Sequence, residues 1–269
     1  MLKKLLVTGA AGGVARQLRP LLTQIAQEVR LSDLNQIHDL EKHEEFIAAE
    51  LSDQEQVDLI VEGCDGVLHL GGISLEDAWD KILVSNIIGM HCLYTSAQKF
   101  GQPRIIFASS NHAMGAYKFT DMLDAAALPR PDSYYGVSKA FGEQVASMYH
   151  DKFGQQTLVV RIGSCLPKPL DPRMLSTWLS PEDFIRLIDR TFAVEHLGYT
   201  IVYGASANTR RFWDDRLAAH IDWQPQDDSE QFAAEFSDLT PYESAIQQGL
   251  LTYQGGVWLR APLITESLE

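Results

Sequence analysis

Tyr135 and Lys139 form the pair with the most informative chemistry in the sequence. They stand four positions apart in SYYGVSKAFGE (residues 133–143), and residues at that spacing share one face of a helix. A nearby ammonium group favours the phenolate and would lower the pKa of the tyrosine, which could then take a hydroxyl proton while a hydride leaves the same carbon. Tyr134 has Ser138 at the same spacing, so Tyr135 is the predicted general base. Alone, YxxxK is equally typical of a solvated surface pair.

Two serines end a predicted buried strand, RIIFASS (residues 104–110), upstream of this pair. Side chains at the carboxyl end of a central parallel strand face the crevice in which open α/β sheets bind ligands. A hydroxyl group there can hold a reacting oxygen and stabilise the charge that develops on it. Ser109 and Ser110 both fit this role.

A glycine-rich turn, VTGAAGGVAR (residues 7–16), follows the first predicted strand and opens the first predicted helix. Gly9, Gly12 and Ala15 give the pattern GxxGxxA. Glycines let backbone N–H groups approach a pyrophosphate, and the N-terminus of the helix adds partial positive charge. The alternative is a tight strand–helix turn that binds no ligand.

Asp33 follows the second predicted strand, where a carboxylate can accept hydrogen bonds from an adenosine ribose. Because it would repel the extra phosphate of NADP, Asp33 favours NAD as the cofactor. Arg16 and Arg30 leave NADP open, and Asp33 also suits a plain turn in SDLN. Asp53 could contact adenine, but a helix cap is its favoured role.

Alternating strands and helices must position these residues. Strands are predicted at residues 4–8, 28–33, 45–51, 66–72, 104–110, 157–163 and 199–206, and helices at residues 13–24, 54–63, 77–101, 133–153 and 180–198. This alternation predicts right-handed crossovers and an α/β, Rossmann-type doubly wound parallel sheet with helices on both faces. Residues 1–163 are predicted to be the NAD-binding core. Residues 164–269 would be a smaller substrate-binding and capping region, in one structural unit with that core.

Composition narrows the classes of partner and compartment. The 269 residues carry a net charge of 22 − 36 = −14, which argues against nucleic acid and anionic membrane surfaces as partners. Cys64, Cys92 and Cys165 are odd in number and well separated, so neither a disulfide framework nor a metal site is predicted. The apolar run at the N-terminus is too short for a signal peptide, and no run reaches the length of a membrane span. We expect a cytoplasmic protein.

Taken in chain order, the glycine loop, Asp33, the strand-end serine and the Tyr–Lys pair resemble the extended short-chain dehydrogenase/reductase superfamily. The resemblance implies that Ser109 or Ser110 fills the superfamily's serine position, and counting from the Tyr–Lys motif favours Ser110 as the catalytic residue. Asn86, in SNIIG, resembles the asparagine with which that superfamily can hold a water for proton relay. The alternative for Asn86 is a polar residue buried in a helix kink.

Longer strings carry a closer resemblance. HLGGIS, GQPRIIFASSNH, YYGVSKAFGE, RIGSC, RMLSTW and GASAN are similar to the uronate dehydrogenase family, and the similarity covers nearly the whole chain. It implies NAD-dependent oxidation of D-glucuronate and D-galacturonate at C1 to the aldarolactone, which opens to the aldarate. Tyr135 would be the base and Lys139 its support, with no metal involved.

The resemblance also implies the residues of the site. Sugar contacts would come from Ser74, Ser110, Asn111, His112 and Arg173, with Arg173 binding the C6 carboxylate, a group that arginine contacts in a bidentate manner. Without the resemblance, Arg173 would be assigned to a surface loop and His112 to a structural role. Cofactor contacts would come from Gly9, Gly12, Gly13, Val14, Asp33, Leu51, Ser52, Asp53, Gly71, Gly72, Ile73, Asn86, Lys139, Ser164 and Cys165. Cys165 alternatively suits a buried small hydrophobe.

Departures and rivals remain. Ala15 replaces the glycine usual in the family, and Trp258 stands where a smaller aromatic is expected, either packing the site or contacting a neighbouring subunit. A nucleotide-sugar epimerase or dehydratase is one rival, disfavoured because only about a hundred residues follow the sixth strand. A non-catalytic NAD sensor is the other, although such proteins commonly lack the Tyr–Lys pair. Long outer helices and an aromatic tail would support a homo-oligomer.

Overall fold

Seven parallel strands form the central sheet. The computed structural model describes residues 1–236 and 251–264. The strands in these residues are β1 (Leu2–Thr8), β2 (Ala26–Ser32), β3 (Glu44–Phe46), β4 (Gly66–His69), β5 (Arg104–Ser110), β6 (Leu123–Asp124), β7 (Thr157–Ile162), β8 (Ser164–Cys165), β9 (Trp178–Leu179), β10 (Tyr199–Gly204) and β11 (Trp213–Asp214). The order in the main sheet is β10-β7-β5-β4-β1-β2-β3, with every neighbouring pair parallel. Strands β1 to β3 are added towards one edge and β4, β5, β7 and β10 towards the other, so the strand order reverses between β1 and β4, which creates a ligand crevice at the carboxyl ends.

Helices cover both faces of this sheet. They are α1 (Gly13–Leu18), α2 (Gln54–Val61), α3 (Trp79–Ile82), α4 (Gly89–Lys99), α5 (Tyr134–Phe153), α6 (Met174–Thr177) and α7 (Pro181–Ala193), and 3-10 turns span Arg19–Gln24, Asn111–Met114, Arg216–Ile221, Ser229–Phe236 and Trp258–Arg260. One core packs α1 and α7 against the sheet, and the other packs α2, α4 and α5 against its opposite face. The predicted doubly wound α/β fold is thereby confirmed. No helix among the described residues is both long enough and apolar enough to cross a bilayer.

Several element boundaries differ from the prediction for local reasons. The helix predicted for residues 13–24 becomes α1 and a 3-10 turn, because Pro20 has no N–H and its ring would clash with the preceding helical turn. The long helix predicted for residues 77–101 is interrupted by a π-helical segment at Leu83–Ile88. Strand β3 ends at Phe46, and β4 ends at His69, before Gly72 takes φ of 116°.

Within residues 164–236 and 251–264, one segment extends the sheet and another contacts the loop that follows β5. Strand β10 pairs with β7 at one sheet edge. Residues 251–258, which we name the C-terminal strap, run beside the loop that follows β5, where Tyr253 forms an antiparallel bridge with Lys118. Gln254 is fully buried in this strap, and its side-chain amide donates hydrogen bonds to two carbonyl groups of that loop.

A buried ion pair fixes α5 to the sheet. Arg161 on β7 donates to both carboxylate oxygens of Glu143 on α5, at 3.0 and 2.8 Å, and the two side chains are only 2% and 1% exposed. Ser109 donates to the same carboxylate at 2.6 Å, and Arg161 donates to the Tyr203 hydroxyl at 3.0 Å. Removing one partner of such a pair leaves an uncompensated buried charge, at a cost of about 3–5 kcal/mol. This arrangement holds the helix that carries Tyr135 against β5 and β7.

Candidate active site

An open cleft of about 660 Å³ lies at the carboxyl ends of the central strands. Its walls are the segments that directly follow β1, β2, β4, β5 and β7. The predicted site residues in its lining are Gly9, Gly12, Gly13, Val14, Asp33, Leu51, Gly71, Gly72, Ile73, Ser74, Ser110, Asn111, His112, Tyr135, Lys139, Ser164, Cys165 and Arg173. The fold therefore brings eighteen predicted residues from distant parts of the chain into one crevice. Ser52, Asp53 and Asn86 are not part of this lining.

The glycine loop is shaped for close backbone approach. Gly9 has φ of 67°, and a Cβ atom there would lie 2.7 Å from the backbone of Leu70 and Gly71. Gly13 faces open space, so its backbone is accessible from the cleft. Ala15 is buried in the core and supplies the small side chain that helix–strand packing needs, so its replacement of glycine leaves the loop intact. The loop fits a pyrophosphate group.

Asp33 braces this loop and faces the same cleft. Its carboxylate accepts hydrogen bonds from the backbone N–H groups of Ala11 at 3.0 Å and Asn35 at 2.9 Å. Arg30 points elsewhere, since it donates to Glu45 and to backbone carbonyls at the end of α2. Arg30 is therefore occupied in the fold and not placed to bind an extra phosphate. Arg16 is exposed and lines a neighbouring groove.

Asp53 and Asn86 have structural partners. Asp53 caps α2 by accepting from Glu55 N–H and Gln56 N–H, as the favoured sequence interpretation held. Asn86 lies in the π-helical segment, where its amide accepts from Ile73 N–H at 2.8 Å and donates to Ser138 Oγ at 2.9 Å. Its side chain thus ties the loop after β4 to α5, which matches the alternative of a polar residue in an irregular helix.

Tyr135 is placed by the capping of α5. Ser133 caps the helix by accepting from Gly136 N–H, and Glu76 accepts from the N–H groups of Tyr134 and Tyr135 at 3.2 and 2.9 Å. A Cβ atom at Gly136 would lie 2.4 Å from the carbonyl oxygen of His112. This glycine lets the first turn of α5 pack directly on the turn after β5. The motif glycine is therefore required by close packing.

Burial dominates the protonation of the Tyr–Lys pair. Burial raises the pKa of Tyr135 to about 12, although the hydrogen bond with the Ser110 hydroxyl acts to lower it. Lys139 Nζ lies 5.5 Å from the centre of the Tyr135 ring, and burial lowers the pKa of Lys139 to about 8. The expectation that the tyrosine pKa would be lowered is therefore wrong in net direction, because loss of solvation outweighs the favourable contacts.

The C-terminal strap packs against cleft residues of the turn after β5. Trp258 stacks on His112 with ring centres 3.7 Å apart. Trp258 and Tyr135 contact each other in an edge-to-face arrangement, with ring centres 6.0 Å apart. Asn111 donates to the carbonyl of the buried Gln254 at 3.2 Å. Trp258 therefore packs the site within its own chain, which is one of the two roles that the sequence left open.

Arg173 has a hydrogen-bond donor that no described residue satisfies. Its Nη1 atom is buried and has no hydrogen-bond partner among residues 1–236 and 251–264. None of the ion pairs within those residues involves it, and it lines the cleft together with Ser110 and Tyr135. A buried guanidinium nitrogen without a partner is a site for an anionic ligand group, and a carboxylate matches the geometry of arginine.

Comparisons with known proteins agree with this geometry. The model of the NAD dependent epimerase/dehydratase family matches residues 5–172. The chain is 46% identical over 266 residues to the uronate dehydrogenase of Agrobacterium fabrum, covering 99% of this chain and 100% of that protein. The chain belongs to the uronate dehydrogenase family.

Solved structures of the family superpose closely on this one. The glucuronic acid dehydrogenase of Chromohalobacter salexigens has a TM-score of 0.94 and 49% identity, covering 97% of this chain and 98% of that one. The uronate dehydrogenase of Agrobacterium tumefaciens, in a tyrosine-to-alanine variant complexed with NAD, has a TM-score of 0.94 and 45% identity over 98% and 99% of the two chains. The present protein is an NAD-dependent oxidoreductase, and its NAD cofactor is the one that the glycine loop and Asp33 predicted. Among the described residues no cluster of three or more His, Cys, Asp or Glu could hold a metal ion.

Other residues of the site escaped the sequence analysis. Glu76, Asp132 and Gln254 belong to no motif, and their roles arise from contacts between distant segments. For Asp132, the one local signal was its place directly before the cap of α5 in PDSYYG.

Lys139→Met is expected to stabilise the fold at neutral pH. The pKa of Lys139 falls from 10.5 to about 8 on burial, so its charged form costs about 3 kcal/mol in the folded state. The cost is complete below pH 8 and shrinks towards pH 10.5, because over that window the unfolded chain keeps a proton that the folded chain has lost. In urea unfolding at pH 7, 9 and 10.5, the variant should have a higher free energy of unfolding than the unsubstituted protein, and this difference should decrease as the pH rises.

Lys152 provides the matched control for that measurement. It lies in the last turn of the same helix and is exposed. Lys152→Met should therefore change the free energy of unfolding by less than about 1 kcal/mol at each pH. A Lys139→Met gain that does not vary with pH would contradict the assignment of the cost to the buried charge.

Proposed function

We propose that this enzyme oxidises free D-glucuronate and D-galacturonate at C1, giving the aldarolactone, which then opens to the aldarate. The observation that carries the proposal is the buried, unpartnered Nη1 of Arg173 in the cleft that also contains Ser110, Tyr135 and the glycine loop. A free uronate has a carboxylate for this guanidinium and a hydroxyl group at C1 for the Tyr–Ser pair. The names of the similar proteins, uronate and glucuronic acid dehydrogenases, support the same substrate class.

Each residue then has one task in the reaction. Arg173 binds the C6 carboxylate and so orients the sugar ring. Ser110 donates a hydrogen bond to the C1 oxygen, and Tyr135, as the phenolate, removes the proton from that oxygen. Bound NAD supplies the acceptor for the hydride that leaves C1. The C1–O bond becomes a carbonyl while the ring oxygen stays attached, so the product is a lactone and two electrons have passed to the cofactor.

Lys139 connects the proton chemistry to pH. Below its pKa of about 8 the Lys139 ammonium is charged and lies over the Tyr135 ring. A positive charge at this place favours the phenolate over the neutral phenol, which offsets part of the effect of burial. Before substrate binds, the Ser110 hydroxyl acts in the same direction through its hydrogen bond with Tyr135. These two contacts make Tyr135, rather than the neighbouring Tyr134, the proposed base.

The rival functions make different predictions. Nucleotide-sugar enzymes such as a UDP-galactose 4-epimerase share this fold at 16% identity, a likeness that concerns the fold alone. An NAD sensor would bind the cofactor without turnover. An assay with different sugars therefore has to decide the substrate.

NADH formation by the purified protein should be measured with D-glucuronate, D-galacturonate, D-glucose, D-galactose and a UDP-sugar. We expect rapid NADH formation with the two free uronates, because only they carry both the carboxylate and a free C1 hydroxyl. The neutral sugars share the C1 hydroxyl and serve as controls for the carboxylate contact. An epimerase-like enzyme returns the hydride to its sugar, so conversion of the UDP-sugar without net NADH, followed by chromatography, would favour that rival. No reaction of any sugar in either measurement would favour the sensor.

A further inference from the structure

Asp132 is a fully buried carboxylate that contacts His112. Its Oδ2 and Oδ1 atoms lie 2.9 and 3.1 Å from His112 Nδ1, and its side chain is 0% exposed. The Ser133 hydroxyl donates to Oδ1 at 2.9 Å. No lysine or arginine in residues 1–236 or 251–264 forms an ion pair with Asp132. His112 is therefore the ring on which this carboxylate acts.

The surroundings are built to accommodate the carboxylate. A Cβ atom at Gly115 or at Gly255 would lie 1.8 Å from Asp132 Oδ2, so both positions require a residue without a side chain. Gly115 follows the turn after β5, Gly255 belongs to the C-terminal strap, and Asp132 directly precedes the cap of α5. Three separate segments therefore converge on this one carboxylate, and two of them leave space for it.

This carboxylate also works against the proposed base. The negative charge of Asp132 adds to the effect of burial in raising the pKa of Tyr135. A buried negative charge disfavours ionisation of the neighbouring tyrosine and is itself costly to bury, so Asp132 is expected to have a compensating partner. The closest side-chain contact of Asp132 is the His112 ring, which is that partner.

We infer that Asp132 is a positioning residue that keeps the proton of His112 on Nδ1, so that Nε2 accepts a hydrogen bond from a sugar hydroxyl. An ionised carboxylate can only accept, so Nδ1 must be the donor, and a neutral imidazole then has a bare Nε2. His112 lines the cleft, and no hydrogen bond joins Nε2 to the residues that the structure describes. The inference rests on the proposed uronate dehydrogenase reaction.

This tautomer would orient the substrate. A bare Nε2 attracts a hydroxyl group and repels a carboxylate, whereas the free Nη1 of Arg173 attracts the carboxylate. Trp258 stacks on the face of the His112 ring, so a ligand reaches the ring at its edge, where Nε2 lies. Hydroxyl and carboxylate ends of the sugar are thus assigned to different side chains of one cleft.

NMR of protein labelled with ¹⁵N in histidine measures the tautomer directly, without substrate. We expect the ring proton of His112 to lie on Nδ1, with Nε2 bare, and the ring signals are assigned by their loss in His112→Gln. Asp132→Asn should shift the ring towards the Nε2–H form, because the asparagine amide can donate to Nδ1. Ser133→Ala, which removes the other side-chain hydrogen bond of Asp132, should leave the tautomer unchanged. An Nε2–H or doubly protonated ring in the unsubstituted protein would overturn the inference.

Kinetics test whether Asp132 acts through His112. Asp132→Asn should lower kcat/KM for the uronate about 10- to 30-fold, because an Nε2–H ring no longer accepts from the sugar hydroxyl and leaves that hydroxyl unpaired, with the Kd for NAD and the Tm little changed. In a His112→Gln background the same substitution should cost less than about twofold, since the ring is absent. An equal loss in both backgrounds would mean a general structural role and overturn the inference. If the unsubstituted enzyme turns over no uronate, the proposed function fails, and the tautomer measurement alone decides the role of Asp132.

Discussion

Tyr135→Phe is expected to lower kcat for uronate oxidation about 10³-fold while leaving the Kd for NAD within about twofold. General base catalysis contributes about 10²- to 10⁴-fold to such reactions, and phenylalanine cannot accept the C1 proton. The ring itself should stay in place, because its neighbours are the edges of His112 and Trp258 and the Lys139 side chain. Steady-state kinetics measure kcat, and a binding titration with NAD measures the Kd separately.

Tyr134→Phe is the matched control. Tyr134 precedes Tyr135 on α5, is half-buried, and packs against Trp79 with ring centres 5.4 Å apart. Its hydroxyl has no role in the proposed reaction, so kcat should change by less than about twofold. Activity retained in Tyr135→Phe, or lost to the same degree in Tyr134→Phe, would contradict the assignment of the base to Tyr135.

The sheet was predictable because each of its strands has a local signature. Short apolar runs such as KLLVT and RIIFASS can be buried on both faces only in a parallel sheet covered by helices, and both became strands within a few residues of the prediction. The break after α1 was also readable, since Pro20 ends the helix by a local clash. The π-helical segment could not be predicted from local sequence, because it occurs together with hydrogen bonds between Asn86 and the distant residues Ile73 and Ser138.

The site was predictable to the extent that its residues belong to motifs. Gly9, Asp33, Ser110 and Tyr135 follow strand ends or begin a helix, so the fold alone brings them to one crevice. Asp132 belongs to no motif, and its environment is set by glycines on two other segments. Protonation was harder still. A Tyr–Lys spacing predicts a lowered tyrosine pKa, whereas the direction found depends on how completely the rest of the chain buries the ring.

Arg173→Met is expected to lower kcat/KM for D-glucuronate about 10²- to 10³-fold, mainly through KM. This corresponds to about 3–4 kcal/mol, within the range for losing one partner of a desolvated, hydrogen-bonded charge pair. The methionine retains much of the side-chain volume beside Gly256, so the strap should stay packed. The slow rate with a neutral sugar such as D-glucose should not fall, because that substrate has no carboxylate to lose contact with. Parallel kinetics on the two sugars provide the measurement.

Two further variants separate charge from geometry at this position. Arg173→Lys keeps the charge but not the planar fork, so it should recover only part of the loss for D-glucuronate. Lys168→Met removes an exposed cation from the loop that precedes Arg173 in the chain, where Lys168 pairs with Glu235 at the surface, and should change kcat/KM by less than about twofold. If Lys168→Met were as damaging as Arg173→Met, the effect would come from the general field of the loop. If Arg173→Met slowed D-glucose equally, the guanidinium would be holding the shape of the cleft, and the carboxylate of the substrate would have to bind elsewhere.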